Sequence, residues 1–556
     1  MKNSKPSSEN SPNPQLNKVK TYIDGLDEIL QGGLPANRTT VINGQAGSGK
    51  SVFGLEFLYR GALNGEPGIF VGFEESVYQT RENAATLGLD LVTLENQNKL
   101  CIIEGYIEND ILLKGDFSLK GLLAIIAGKS KEMGAKRIVI DALDVVLRLF
   151  DSPREVRNEM HLLDKWLRDS GLTVVMTMRP SKTMVSPFED FFDSLSDCII
   201  NLDTRQIEQL STRRIRVVKY RGSAFGSNEY PYVITSEGIQ VAPISSFGLR
   251  HKALGEHLTT GNPDLDTMLG GGFRRASCIL IAGLPGVGKT ILAATFTNAT
   301  CKRGEKVLYV GFEESEQALV GNVKSAGVLL DELRNNNTLF FLTRFPEEMG
   351  AEEHFILLKK HISKVQPQHI IIDAISATSR MGGRQASYEY LMRVLNLSKE
   401  LKITTLFLNQ LTGNTGFVEI SGIDISSMVD TAIFLNYIEY SGETNRLVHI
   451  LKSRGSKHTN QKREYVITDN GIQFKNIYVG DNQVLTGSAR QIQEAKDEAA
   501  LKLLEFQIQE KELELKRLKM MMEQNTIDQK LRAGLRGGKP DDTQTVQNSG
   551  NSLKKE

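Results

Sequence analysis

GQAGSGKS, Gly44–Ser51, decides how this chain folds, because its pattern returns as GLPGVGKT at Gly283–Thr290. Both stretches fit G-x-x-x-x-G-K-[ST], in which glycines let backbone N–H groups turn inward around phosphate oxygens. The lysine neutralises phosphate charge and the hydroxyl reaches a magnesium ion. The spacing predicts two nucleotide sites. One comprises Gly44, Gln45, Ala46, Gly47, Ser48, Gly49, Lys50 and Ser51; the other Gly283, Leu284, Pro285, Gly286, Val287, Gly288, Lys289 and Thr290. Lys50 and Lys289 are assigned to the phosphates of ATP, Ser51 and Thr290 to Mg²⁺.

The surroundings of the two loops also repeat. TYIDGLDEILQGGLPANRTTVINGQAGSGKS, from Thr21, matches TGNPDLDTMLGGGFRRASCILIAGLPGVGKT, from Thr260. The same offset relates Glu74 and Glu75 to Glu313 and Glu314, and it drifts by only a few residues at Asp141 and Asp373 or at VVKYRGS and ILKSRGS. Register kept through separate blocks means a duplicated domain. The expected order is a disordered leader (1–16), a first domain (17–246), a linker (247–252), a second domain (253–480), a coiled-coil helix (488–530) and a flexible tail (531–556).

Each copy alternates short apolar runs with longer helical stretches. TTVING, GIFVGF, RIVIDAL and TVVMTM read as buried strands in the first copy; CILIAG, VLYVGF, HIIIDAI and TTLFLN do so in the second. That alternation predicts an α/β fold, a mainly parallel sheet with helices on both faces and its loops at the strand carboxyl ends.

Composition narrows the function. Across 556 residues, 67 basic side chains balance 67 acidic ones, so no global positive field points to nucleic acid. Cys101, Cys198, Cys278 and Cys301 show no metal-ligand spacing and read as reduced thiols. No apolar run has the length of a membrane span and the first residues are polar, which predicts a cytoplasmic protein.

Further residues carry candidate chemistry. Asp141 and Asp373 end apolar strands, where a carboxylate orients the metal through its waters; a helix cap is the plainer alternative. Glu74 and Glu75, like Glu313 and Glu314, stand where a carboxylate can take a proton from water or a hydroxyl, tuned by its like-charged neighbour. Lys219 with Arg221, and Lys452 with Arg454, alternate along a strand and share a face. Far in sequence from their own loops, they suit trans action on a neighbouring subunit's γ-phosphate, which implies a ring.

Ser488 to about Lys530 holds neither proline nor glycine. Ile492, Ala499, Phe506, Leu513, Met520 and Ile527 recur every seven residues, and Leu501, Ile508, Leu515 and Met522 form a second series on nearly the opposite side. Two seams predict packing against helices of other chains; folding back on its own domain is the alternative.

Two tandem RecA-like P-loop domains, each with a phosphate loop, GFEES, a strand-end aspartate and K-x-R-G, resemble the KaiC family of circadian-clock proteins over residues 17–480. The resemblance implies a first domain that hydrolyses ATP and builds a homohexamer. It implies a second that is an autokinase and autophosphatase on two adjacent hydroxyls across a subunit interface. Those phosphoacceptors fall on Ser426 and Ser427, with Ser421 nearby. Both acceptors are serine here, whereas the family has a Ser-Thr pair, and the first copy places Asp193 and Ser194 in those positions. After the second domain the family has a short handle for a partner called KaiA. This chain has the long helix instead, which argues against KaiA dependence. It is similar to homologues outside the well-known clock lineage, some of which pair two hexamers through such a helix, so a dodecamer through 488–530 is implied. A KaiB-like partner on the first domain is a further implication. The rival readings are a RecA-like ring acting on DNA, against which stand the neutral charge and the lack of a nucleic-acid motif, and a non-enzymatic scaffold, against which stand the intact lysines and glutamates.

Overall fold

A computed structural model describes residues 16–105, 119–147, 152–179, 195–207, 210–242, 254–411, 425–440, 443–475, 479–480, 483–484 and 487–534. The leader up to residue 15, the linker 247–252, the tail from residue 535, and Asp193, Ser194 and Ser421 lie outside the described residues.

The first sheet is built from β1 (Thr39–Gly44), β2 (Gly68–Gly72), β3 (Leu100–Glu104), β4 (Arg137–Asp141), β5 (Thr173–Met178), β6 (Cys198–Ile207), β7 (Leu210–Tyr220), β8 (Glu229–Thr235) and β9 (Gly238–Val241). Its order is 9-8-7-6-1-5-4-2-3. The second contains β10 (Cys278–Gly283), β11 (Val307–Gly311), β12 (Leu339–Thr343), β13 (His369–Asp373), β14 (Thr404–Gln410), β15 (Thr431–Tyr440), β16 (Glu443–Ser453), β17 (Arg463–Thr468) and β18 (Gly471–Phe474). Its order, 18-17-16-15-10-14-13-11-12, is the first order with every strand replaced by its repeat. These are two tandem RecA-like domains.

In each sheet six neighbouring strands run parallel, and the remainder extends one edge antiparallel. The parallel strands are covered on both faces, which is why they read as continuous apolar runs. Val41 and Ile42 are adjacent yet belong to different clusters, one with Ile69, Ile138 and Val174, the other with Phe53, Phe70, Val139 and Val175. Each such side chain contributes about 1.5–3 kcal/mol by leaving water. The antiparallel extension is not legible in the sequence as a unit: β6 and β7 carry Asp203, Arg205, Arg214 and Arg216, which break the apolar pattern.

Helices flank the strands: α1 (Lys50–Leu63), α2 (Leu119–Met133) and α3 (Pro153–Ser170) in the first repeat, α4 (Lys289–Lys302), α5 (Ala351–Val365) and α6 (Gly383–Glu400) in the second. α3 starts in the ordinary way, the Ser152 hydroxyl accepting from the Glu155 N–H. α1 and α4 do not: their N-caps are Gly49 and Gly288, at φ 85° and 95°, with no side-chain cap. The first-turn N–H groups are left for an anion.

The described chain divides into two units, residues 1–437 with 446–475, and 438–445 with 476–556. Both repeats belong to the first, save the ends of β15 and β16 that fall within 438–445. The second is dominated by α7 (Gly487–Gly534), whose 48 residues extend ~72 Å. The Ser488 N–H and hydroxyl hold its start to Glu443, at 3.0 and 2.5 Å. Both apolar seams are solvent-exposed, Phe506 at 66% and Met522 at 69% among them. No helix among the described residues is long and apolar enough to cross a membrane.

Candidate functional site

The two phosphate loops are built alike. Lys50 and Lys289 are buried, and their ammonium groups donate to carbonyls of their own loops: Lys50 to Gln45 at 3.0 Å, Lys289 to Gly283 and Leu284 at 3.0 and 2.9 Å. Burial lowers both lysine pKa values, and the nearby Arg179 acts in the same direction on Lys50. A charged ammonium held in a dry loop gains from an arriving phosphate. Each loop is also braced from behind. The Tyr232 hydroxyl donates to Ser48 O at 2.5 Å, and that of Tyr465 donates to Val287 O at 2.6 Å. A Cβ on Gly49 would meet Ile234 at 2.5 Å and one on Gly288 would meet Ile467 at 2.9 Å, so glycine is required for the strand to press so close. Local pattern does not mark these tyrosines as braces, and the signal the sequence does hold is YVIT, which recurs in both repeats.

The strand-end aspartates come to the loops. Asp373 Oδ2 accepts from Thr290 Oγ1 at 2.9 Å and from Tyr309 Oη at 2.7 Å. Asp141 accepts from the Thr177 hydroxyl and is hydrogen-bonded to Ser51. Burial raises the pKa of both carboxyls. In both copies the peptide bond after the aspartate is cis. The oxygen pair Thr290 and Asp373, and likewise Ser51 and Asp141, is the hard donor set that suits Mg²⁺, so these residues fit that ion.

The two glutamates of each pair differ in their contacts. Asn83 holds Glu75 at 3.0 Å and Asn322 holds Glu314 at 3.2 Å, so the second of each pair is tied to the helix that follows. Glu313 and Glu314 both line a cavity of about 290 Å³ with Lys289, Thr290, Tyr309 and Asp373. The pKa of Glu313 is raised, by burial first and then by the charge of Asp373. Glu74 instead forms an ion pair with Arg179 at 3.4 Å. The residue aligned with Arg179 is Gln410, so the second repeat lacks this arginine. A larger cavity of about 520 Å³ touches Gly44 and Gln45 but runs over the sheet face past Arg205, Arg214 and Arg216. Lys50 and Ser51 do not line it, so we do not read it as the phosphate site.

The basic pairs lie elsewhere. Ile199 pairs with Lys219, and the Arg221 N–H donates to Asp197 O, which places both residues at the start of β1 rather than at its loop end. In the second repeat the Arg454 N–H donates to Asp430 O and the Asp430 N–H to Cys278 O. From Cys278 to the loop at Gly283 a strand spans ~17 Å. There Lys452 Nζ donates to Ser426 O and Ser427 O at 3.4 and 3.0 Å, and Arg454 donates to Ser427 O at 3.0 Å. Ser427 is exposed and Ser426 half-buried, on a turn closed by Met428 N–H to Ile425 O. The basic pair and the candidate acceptors thus form one edge, distant from their own phosphate loop.

Paired loops, strand-end carboxylates and doubly covered parallel sheets define a tandem P-loop ATPase with RecA-like domains. The chain belongs to the KaiC family: the family model described as "ATPase: KaiC" matches residues 19–246 and again 258–478. The circadian clock protein KaiC2 of Synechocystis sp. is 39% identical over 500 residues, 89% of this chain and 88% of the relative. The circadian clock oscillator protein KaiC of Picosynechococcus sp. is 33% identical over 492 residues (87% and 95%), and that of Synechococcus elongatus 32% over 487 (87% and 94%). As a member of this family the chain is an ATP-binding ATPase.

Proposed function

We propose that this protein is a Mg²⁺-dependent homohexameric ATPase whose first repeat hydrolyses ATP and whose second is a serine autokinase and autophosphatase. The observation that carries the reading is the edge where Lys452 and Arg454 hold the backbone of Ser426 and Ser427. It lies a strand length from Lys289, so phosphate must come from the site of an adjacent subunit. Glu313 of that neighbour takes the proton from the serine hydroxyl. The serine oxygen bonds to the γ-phosphorus, the bond from that phosphorus to the bridging oxygen breaks, and ADP leaves. Lys289, with Lys452 and Arg454 across the interface, takes up the spreading negative charge. Thr290 and Asp373 would hold Mg²⁺, which would supply charge neutralisation to the bound nucleotide. In the first repeat Glu74 orients water, with Lys50, Ser51 and Asp141 in the matching places and a neighbour's Lys219 and Arg221 facing the phosphate.

Phosphate mapped on Ser426 or Ser427 after incubation with Mg-ATP, and lost in Glu313→Gln, is the expected result. No phosphate on either serine, with Glu313→Gln indistinguishable from the native protein, sinks the kinase half.

Support for a KaiB-like partner on the first repeat comes from internal comparison. In the second repeat α5 is covered by the first repeat, through Lys360 to Glu237 at 2.5 Å and Lys359 to Asp24 at 3.5 Å. The matching α2 and α3 leave an apolar groove with Leu123, Leu162 and Trp166, and Ile125 exposed beside it. Trp166 emission unchanged by a KaiB homologue would remove this assignment.

A further inference from the structure

The two strand-end aspartates are secured from opposite sides. β13 lies between β11 and β14, and Asp373 takes its hydroxyl from β11, where the Tyr309 side chain is buried and donates at 2.7 Å. β4 lies likewise between β2 and β5, but Asp141 takes its hydroxyl from β5, through Thr177. The repeat pairs Tyr309 with Phe70 and Thr177 with Leu408: Asp141 faces Thr177 in register as Asp373 faces Leu408. Beside the hydroxyl of its own phosphate loop, each repeat therefore keeps one hydroxyl from a neighbouring strand against the carboxylate and puts an apolar side chain where the other has its donor.

A carboxylate ending a buried strand turns about its last bond unless something holds an oxygen. In the second repeat Thr290 and Tyr309 both donate to Oδ2, which leaves Oδ1 without either donor. Outer partners of this kind set the orientation of a ligating group and typically change metal affinity ten- to a hundredfold. We infer that Tyr309 in the second repeat and Thr177 in the first are positioning residues that aim Asp373 and Asp141 at Mg-ATP, one task performed from opposite neighbouring strands. The inference rests on the reading, proposed above, that these aspartates orient the metal.

The test uses full-length protein and Mn²⁺ binding, followed by electron paramagnetic resonance with a non-hydrolysable ATP analogue. Tyr309→Phe is expected to weaken one of the two Mn²⁺ sites per chain about tenfold and Thr177→Val the other. Adding Leu408→Thr to Tyr309→Phe transplants the first repeat's arrangement and is expected to restore most of the lost affinity. Unchanged Mn²⁺ binding in Tyr309→Phe, where Asp373→Asn has lost it, overturns the inference while leaving the metal assignment intact. A double variant as weak as Tyr309→Phe also overturns it, since packing alone would then explain the tyrosine. Asp373→Asn that binds Mn²⁺ normally removes the underlying reading instead.

Discussion

Arg214, on β7 of the first repeat, lies 3.0 Å from Glu352 on α5 of the second, and both side chains are largely buried. The approach is too oblique to form a hydrogen bond, and Glu389 on α6 stands 3.8 Å from the same guanidinium. Removing one partner of a buried pair strands the other charge, at a cost of about 3–5 kcal/mol. Arg214→Ala is expected to destabilise the first repeat by about 3 kcal/mol, whereas Arg214→Met with Glu352→Gln recovers most of it. Trp166, the chain's single tryptophan, reports unfolding of that repeat in urea. An Arg214→Ala midpoint equal to the native one would mean the pair contributes nothing.

A second consequence concerns pH. His369 begins β13 and accepts the place that Arg137 fills in the first repeat, with Glu305 where Glu66 pairs with Arg137. Its pKa falls from 6.5 to about 4, chiefly because burial disfavours the charged ring. Burial works against charge on Glu305 too, but hydrogen bonds from Arg275 and His369 outweigh it and hold its pKa at about 2. Both folded values lie below the unfolded ones, so the unfolded chain binds protons first and stability is lost as pH falls. The histidine part, up to about 3 kcal/mol, is lost between about pH 6.5 and pH 4, and the Glu305 part lower still. His369→Gln is expected to flatten the upper part of this dependence in urea midpoints followed by circular dichroism. An equal slope in native and variant would contradict it.

Because Glu313 is shifted upward by burial and by Asp373, it stays protonated to a higher pH than an ordinary carboxyl. Only the deprotonated form is a base. Single-turnover phosphorylation of Ser426 and Ser427 is expected to fall on acidification through that raised pKa, and Glu313→Gln to lower it about 100-fold or more. Glu74→Gln is expected to reduce hydrolysis by the first repeat by a similar factor and leave serine phosphorylation in place. Loss of both activities in either single variant would show that the repeats do not divide the work.

The exposed seams of α7 predict self-association. Deleting residues 488–556 is expected to lower the mass in solution by light scattering, from a double ring to a single one, without loss of ATP hydrolysis. A mass per particle that changes only by the deleted residues would exclude the helix as the pairing element.

The sequence by itself determined the duplication, through register kept across separate blocks, and the eight buried parallel strands named from it and both phosphate loops, because each of these depends on neighbours within a few residues. A glycine at the N-cap, a lysine after it and an apolar run before it act through local backbone geometry and burial. The long helix was equally legible from its seven-residue period, although its observed span, Gly487–Gly534, exceeds the predicted 488–530 slightly. Only the tertiary structure decided which hydroxyl reaches each aspartate, since Tyr309 and Thr177 approach from different strands and their repeat partners, Phe70 and Leu408, carry no such group. It alone set Lys452 and Arg454 on the carbonyls of Ser426 and Ser427, and Arg214 beside Glu352. Those contacts join residues far apart in the chain, and strand register and side-chain reach, which no local pattern encodes, determine whether they meet.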